Sequence, residues 1–213
     1  MARAPQAIWD LFESIQHQVP SAVMSGIVGD RSHSFGYHLA RNELPGTDYS
    51  VQLRRDRAGD AGSASALDVK FGPVLMRTVT ARLLAAARAK DPRLSALREF
   101  CGTTDGRSTY PWDLSTGSSE GVGSWDSSHL WHVHLSFYRD AANNGAALAP
   151  IAAVIGGVTL TPARARKSVL VKRGDTLTSI AAAHHLTLTQ LEHLNTQIHD
   201  FNAIAIDQRI FVS

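Results

Sequence analysis

Three histidines lie within six positions of the chain, in the segment HLWHVHLSF at residues 129–137. Apolar and polar residues alternate there, which predicts a β-strand. Side chains two positions apart in a strand share a face, so His132 and His134 point the same way, Trp131 faces a core, and His129 lies at the strand entry. Neutral imidazoles held on a rigid sheet face suit zinc, so the pattern predicts a metal site rather than a surface stripe.

A catalytic zinc ion needs three protein ligands and an open position for water, so further ligands are required. The segment SALDVKF, residues 65–71, predicts a second strand that carries Asp68 among apolar neighbours. A carboxylate in that environment is costly unless it is paired or bound to a metal. His33 and His38, in GDRSHSFGYHLAR, follow another predicted strand and are the candidates for the remaining ligand.

The order His, then Ala-x-Asp, then His-x-x-His-x-His resembles the LAS zinc metallopeptidases, over residues 20–140. That group includes D-alanyl-D-alanine carboxypeptidases and phage L-alanyl-D-glutamate endopeptidases. The resemblance implies that the first histidine, Asp68 and His134 bind zinc. It also implies that His132 and His129 are catalytic residues, which bind the substrate or assist the attacking water.

The sequence departs from the family pattern at two points. An insert at residues 39–65 lengthens the usual spacing between the first histidine and the aspartate, which leaves two candidates for the first ligand. SHSFG partly matches the family's Ser-x-His-x-x-Gly and supports His33, whereas GYH resembles the Ser-x-His that precedes a longer insert in actinobacterial and phage relatives. We take His38 as the ligand. Trp131 stands where many carboxypeptidases of the group carry glutamate, so His132 is the candidate general base.

Two charged residues near these histidines each allow two interpretations. Arg31, in GDRSH, could clamp a substrate carboxylate or remain solvated. Asp126, in WDSS, could orient His129 or His132, or it could simply belong to a turn. The sequence leaves both alternatives open.

The sequence pattern changes at residues 168–213, which predict a β-strand, a tight turn, two helices and a closing strand. The start RGDTLTSIA and the terminal QRIFV resemble a LysM domain. Domains of this kind bind the N-acetylglucosamine backbone of peptidoglycan or chitin. By that resemblance the carbohydrate-binding residues are Gly174, Asp175, Thr176, Leu177 and Asn195. Thr176 also fits a plain helix N-cap.

The predicted fold class is α+β: a small antiparallel sheet with flanking helices carries the zinc site, and a βααβ module follows. PQAIWDLFESIQHQV predicts an amphipathic helix, and PVLMRTVTARLLAAARAK predicts a second helix that begins with proline. The uncharged run 141–163 is interrupted by asparagine, proline and paired glycine, so it predicts a last helix and a linker rather than a membrane span. The predicted domains are 1–156 and 168–213, joined by a linker at 157–167.

Composition narrows the possible partners of this 213-residue chain. A hydrophobic content of 44% supports a core, and a net charge of +2 suits an anionic surface without selecting one. Nucleic acid is disfavoured because no dense Lys/Arg run with interleaved aromatic residues occurs. A lone cysteine, Cys101, excludes an intramolecular disulfide and is interpreted as an inert, half-buried thiol. The N-terminal segment lacks the continuous apolar core of a signal peptide, so we expect synthesis in the cytoplasm.

The two resemblances point to one polymer, the bacterial cell wall. Together they predict a monomeric, zinc-dependent peptidoglycan peptidase that cleaves stem or cross-bridge peptides, with no nucleic-acid partner and no membrane insertion. The lack of an export signal favours a phage endolysin that is made in the host cytoplasm and reaches the wall through a holin. The alternatives are a D,D- or L,D-carboxypeptidase that trims stem peptides, and a non-catalytic wall-binding virion protein. The sequence does not decide which peptide bond is cut.

Overall fold

Two units make up the chain, Met1–Thr159 and Leu160–Ser213. The predicted domain boundaries at residues 156 and 168 lie on either side of this division, and the predicted linker lies mostly outside the described residues. The computed structural model describes residues 2–30, 34–119, 125–158, 167–195, 198, 200–201 and 203–213. His33 and Arg31, two of the residues considered above, lie outside the described part.

A five-stranded antiparallel sheet forms the centre of the first unit, with the strand order β1-β2-β5-β3-β4. Its strands are β1 (Val23–Gly26), β2 (Ala66–Lys70), β3 (Leu97–Gly102), β4 (Tyr110–Asp113) and β5 (Val133–Phe137). The register of β2 and β5 places Asp68 directly opposite His134. The two strands predicted from alternating hydrophobicity are therefore neighbours, although 66 positions separate these two residues.

Helices cover the sheet with apolar faces. The helices of the first unit are α1 (Gln6–Gln18), α2 (Arg54–Ala58), α3 (Pro73–Arg88) and α4 (Gly145–Gly156). Helix α1 buries Ile8, Leu11 and Ile15 and packs on α4, and α3 also packs on α4. This arrangement confirms the predicted α+β class and the three predicted helices. Among the described residues, no helix combines the length and the apolar character needed to cross a bilayer.

The structure corrects three sequence-based predictions. The strand predicted at 129–137 begins only at Val133, because Ser127–Leu130 forms a 3-10 turn before it. Trp131 is 49% exposed rather than facing the core. Cys101 is fully buried rather than half-buried, because it lies within β3, a strand whose six residues are all buried and therefore show no alternation.

The segment between β1 and β2, which contains His38 and the insert at residues 39–65, is fixed to the rest of the unit by Arg139, which is 2% exposed. Its guanidinium donates hydrogen bonds to the carbonyl oxygens of Ser50 and Leu39 at 3.1 and 3.0 Å, and to that of Gly36 at 3.3 Å. Charge-assisted hydrogen bonds from a buried cation to several carbonyl groups stabilise an irregular segment. The segment that carries His38 is therefore held close to the end of β5, where Arg139 lies.

The second unit has the predicted βααβ order. It contains β6 (Ser168–Leu170), α5 (Leu177–Ala183), α6 (Leu188–Leu194) and β7 (Arg209–Phe211), with β6 and β7 paired antiparallel. Each helix begins with a threonine capping box, at Thr176 and at Thr187. Its own small core includes Val171, Leu177, Ile180, Leu191 and Ile210.

Candidate metal centre

Three side chains predicted to bind metal converge in the first unit: those of His38, Asp68 and His134. One potential ligand atom from each lies within 4.8 Å of the others. The Nε2 atom of His38 is 3.1 Å from Oδ2 of Asp68, and Nδ1 of His134 is 2.9 Å from Oδ1 of the same carboxylate. The two facing ring nitrogens are 3.2 Å apart. Ligand atoms of a tetrahedral zinc ion with bonds of ~2.0–2.1 Å lie about 3.3 Å apart, so these spacings suit such an ion.

The outer nitrogen of each imidazole already has a hydrogen-bond partner. Nδ1 of His38 is 2.8 Å from the carbonyl oxygen of Ile27, which can only accept. Nε2 of His134 is 2.7 Å from Oγ of Ser136, whose own hydroxyl donates to Oε1 of Glu99 at 3.2 Å. In a neutral His38 ring the inner nitrogen therefore carries a lone pair that faces Asp68, and the same holds for His134 in its Nε2–H tautomer. Metal-binding histidines are held in this way, with the second ring nitrogen donating outward.

The charge state of the cluster follows from its burial. Burial alone would raise the pKa of Asp68, but the hydrogen bonds and charges of His134 and His38 in their protonated forms hold it far below the usual range of an aspartate. Burial would lower the pKa of His38, yet the hydrogen bond and charge of Asp68 outweigh it and raise that pKa above 6.5. Burial lowers the pKa of His134 to about 4. Asp68 therefore favours a proton on His38, in a position where a metal ion would replace it.

His132 and His129, the predicted catalytic residues, lie beside this cluster. Nε2 of His132 is 3.5 Å from Oδ1 of Asp68, and the His129 and His132 ring centroids are 4.9 Å apart. Burial lowers the pKa of His132, so this imidazole is neutral at physiological pH. Its Nδ1 atom is buried and has no hydrogen-bond partner in the described part of the chain. A neutral, incompletely bonded imidazole next to the cluster can accept a proton.

Asp126 is a turn residue rather than a dedicated partner of His132. Its carboxylate caps the 3-10 turn by accepting a hydrogen bond from the backbone N–H of Ser128 at 2.9 Å. His129 Nδ1 lies closer to the Asp126 carbonyl oxygen, at 3.1 Å, than to its carboxylate, at 3.5 Å. The turn backbone therefore orients His129, and through the ring contact it also orients His132.

A cavity of about 670 Å³ contains the cluster and opens to solvent. Phe35 and Trp131 line it and are 47% and 49% exposed, and the Nζ of Lys70 lies 4.6 Å from the centroid of the Trp131 ring. Trp125 also lines the cavity and lies edge-on to His129 and His134. A cavity that is lined by aromatic side chains and by the histidine and aspartate side chains of the cluster can hold an extended peptide next to the candidate ligands.

Several residues of the site were not found from the sequence. Tyr49 lines the cavity and donates a hydrogen bond to Oε1 of Glu99 at 3.0 Å. Glu99 is fully buried, and burial raises its pKa to about 7, against the opposing charge of Arg98. Ser136 could have been inferred, because it shares the strand face of His134 two positions away. Glu99 could not, because β3 itself was not predicted.

In the second unit, the predicted carbohydrate-binding residues 174–177 form the turn that leads into α5. Gly174 has a φ of +90°, a conformation that suits glycine. The Asp175 carboxylate accepts a hydrogen bond from the backbone N–H of Lys172 at 2.8 Å, which closes the turn. Thr176 is exposed and caps the helix, whereas the side chain of Leu177 is buried in the core. The turn therefore presents mainly backbone groups and short side chains to solvent.

Residues 169–213 match the sequence model of the LysM domain. This module is a LysM domain. LysM domains bind the glycan of peptidoglycan, so the second unit is a cell-wall-binding module. The chain matches no curated protein and no solved structure.

Asn195 holds the LysM domain together. Its side chain is fully buried, donates to the carbonyl oxygens of Leu191 and Phe211 at 2.7 and 2.8 Å, and accepts from the backbone N–H of Phe211 at 2.8 Å. It was predicted as a carbohydrate-binding residue, but its amide instead joins α6 to β7. The other predicted residues, at 174–177, lie at the turn where the domain exposes its backbone.

Proposed function

We propose that the chain is a zinc-dependent peptidoglycan peptidase, in which the first unit hydrolyses a stem or cross-bridge peptide and the LysM domain holds the glycan. The observation that carries this proposal is the geometry of His38, Asp68 and His134. Their facing atoms lie 2.9 to 3.2 Å apart, and both outer ring nitrogens are engaged elsewhere. A buried cluster of this kind suits a cation better than it suits a purely structural role.

His38, Asp68 and His134 would hold the metal through Nε2, a carboxylate oxygen and Nδ1. Three protein ligands leave one position free, which is typical of catalytic rather than structural zinc sites. A bound zinc ion supplies an acidified water and polarises the scissile carbonyl group. These are the ligands that the LAS resemblance implies when His38 is taken as the first one.

His132 is the proposed general base. Its Nε2 atom lies within 3.5 Å of Asp68 and so borders the ligand cluster. Because burial lowers the pKa of His132, the ring is free to accept a proton from the attacking water and to return it to the leaving amine. His129, oriented by the turn at Asp126, stands next to it and would contact the substrate near the scissile bond.

Joining a peptidase unit to a LysM domain raises the local concentration of the enzyme at its polymer. Once the LysM domain has bound glycan, the peptidase unit meets nearby peptides within the same complex rather than by diffusion from solution. The biological setting that we propose is that of a phage endolysin, made in the host cytoplasm and reaching the wall through a holin. This setting rests on the resemblance to phage endopeptidases.

The test is digestion of purified peptidoglycan by the full chain, with the products identified by mass spectrometry. We expect new amino termini within stem or cross-bridge peptides, and loss of this activity in His38→Ala and His132→Ala. His17→Ala, which removes an exposed histidine outside the site, is the matched control and should behave as the parent. Release of single terminal D-amino acids would replace the endopeptidase by a carboxypeptidase. Wall binding without any cleavage, in protein supplied with zinc, would reduce the function to wall binding.

A further inference from the structure

Glu99 and Ser136 form a buried pair behind the metal centre. They lie opposite each other in the register of β3 and β5, and both are fully buried. Oε1 of Glu99 accepts two hydrogen bonds, from Oγ of Ser136 at 3.2 Å and from the hydroxyl of Tyr49 at 3.0 Å. A carboxyl group in the interior that receives two donors at one oxygen is held in a single orientation.

The direction of these hydrogen bonds reaches His134. A serine hydroxyl carries one proton, and the proton of Ser136 is directed to Glu99. Oγ of Ser136 must then accept at its contact of 2.7 Å with Nε2 of His134. The acceptor at Glu99 thus decides that the proton of the His134 ring sits on Nε2.

Without this arrangement the opposite tautomer would be favoured. Oδ1 of Asp68 lies 2.9 Å from Nδ1 of His134 and would accept a proton placed there. An Nδ1–H group donating to Asp68 is satisfied locally, but it has no lone pair to offer a metal ion. Two acceptors therefore compete for one ring proton, and the outcome determines whether His134 can act as a ligand.

We propose that Glu99 is a positioning residue of the metal centre: acting through Ser136, it holds the His134 proton on Nε2 and leaves Nδ1 directed at Asp68. This inference rests on the proposed function for its consequence, because the tautomer matters only if His134 binds metal. Tyr49 supports the same carboxyl oxygen from the cavity side. The carboxyl group of Glu99 itself touches neither the cluster nor the substrate cavity.

The test is the tautomer of His134, read by long-range ¹H–¹⁵N NMR in the metal-free full chain, together with zinc affinity from competition with a chelator. The parent should show the Nε2–H form. Ser136→Ala, a small truncation that the core can accept, should shift His134 toward the Nδ1–H form and weaken zinc binding by about 10–100-fold. Glu99→Gln keeps an acceptor oxygen and should preserve the parent tautomer, whereas Glu99→Leu should lose it.

Ser65→Ala is the matched control, because Ser65 is equally buried but donates to the carbonyl oxygen of Phe137 and does not contact His134. A parent-like tautomer and zinc affinity in Ser136→Ala would overturn the inference, and so would a Ser65→Ala variant that shifts as strongly. The two proposals fail differently. A tautomer that depends on Ser136 in a chain that binds no zinc leaves the positioning role standing and removes the zinc peptidase. Zinc binding that is unchanged in Ser136→Ala would leave the zinc site standing and remove the positioning role of Glu99.

Discussion

The ring nitrogens of His38 and His134 lie 3.2 Å apart, although 96 positions separate the two residues in the chain. One ring comes from the segment between β1 and β2 that Arg139 fixes, and the other comes from β5. Two neutral imidazoles with their protons on the outer nitrogens would direct their lone pairs at each other and at Asp68, so this arrangement favours a cation among them. The raised pKa of His38 favours a proton there when no metal is bound.

Removal of the shared carboxylate tests the centre most directly. Asp68→Ala should reduce bound zinc from about one ion per chain to none and lower peptidoglycan cleavage by more than about 100-fold, because both histidines lose the negative group that gathers them. Binding to cell walls through the LysM domain should not change. Metal analysis, a cleavage assay and wall co-sedimentation measure the three effects.

The matched control for this substitution is Asp10→Ala, which removes an exposed carboxylate on α1. It should retain the metal and the activity of the parent. An Asp68→Ala protein that keeps its zinc and its activity would show that the cluster is not the metal centre.

Zinc binding should depend on pH through His38. Asp68 is ionised throughout the accessible range because its pKa is far below normal, and His134 loses its proton near pH 4. The pKa of His38 is raised above 6.5, so below it a zinc ion must displace a proton from this ring. We expect the affinity for zinc to fall about tenfold per pH unit as the pH decreases through that range, and to level off above it. Chelator competition between pH 5 and pH 8 measures the slope, and a flat profile would contradict the assignment of the proton to His38.

The sequence was sufficient to predict the three proposed ligands and the two flanking histidines. Their residue types are rare in apolar strands, and β2 and β5 alternate because one face of each meets the site. Pairing of these strands is a long-range event, so the sequence predicted which residues face a site but not that Asp68 lies opposite His134. That adjacency depends on the whole sheet.

The residues behind the ligands were beyond sequence-based prediction for a physical reason. Strand β3 is buried on both faces, so it has no period of two, and Glu99 reads as an ordinary charge. Arg139 likewise gives no sign of its partners, which are backbone carbonyl groups of the insert. Such residues are recognised only when the acceptors and donors around them are known.

Glu99 should make the stability of the first unit fall as pH rises. Burial raises its folded pKa to about 7 from a reference value of 4.5, so the folded state binds more protons than the unfolded state between these values. The contribution of Glu99 to the free energy of unfolding is therefore greatest below pH 4.5 and declines up to pH 7, by about 3 kcal/mol at most. Glu99→Gln removes the titration, so its free energy of unfolding relative to the parent should increase over that window and then remain constant. Urea unfolding of both metal-free proteins from pH 5 to pH 8 tests this, and parallel curves would refute it.

The close contact between Gly59 and Arg139 should make the insert sensitive to a single methyl group. A Cβ atom at Gly59 would lie 2.1 Å from the carbonyl oxygen of Arg139, which is backbone and cannot move aside. We expect Gly59→Ala to lower the free energy of unfolding by about 3 kcal/mol and to weaken zinc binding, because the insert directly follows His38. Gly46→Ala, in the same insert with no atom within 4 Å, should be neutral. Equal unfolding midpoints for the two variants would contradict the proposed contact.

Asn195 allows the two units to be separated by experiment. Asn195→Ala leaves the carbonyl oxygens of Leu191 and Phe211 and the backbone N–H of Phe211 without their side-chain partner, at a cost of about 2–4 kcal/mol. A module as small as a LysM domain has little stability to lose, so the variant should unfold locally and lose wall binding. Zinc content and cleavage of soluble peptide fragments should stay at the level of the parent, while cleavage of intact walls falls. His193→Ala, an exposed change on the same helix, should preserve all three properties. Loss of zinc in Asn195→Ala would mean that the first unit depends on the LysM domain for its own fold.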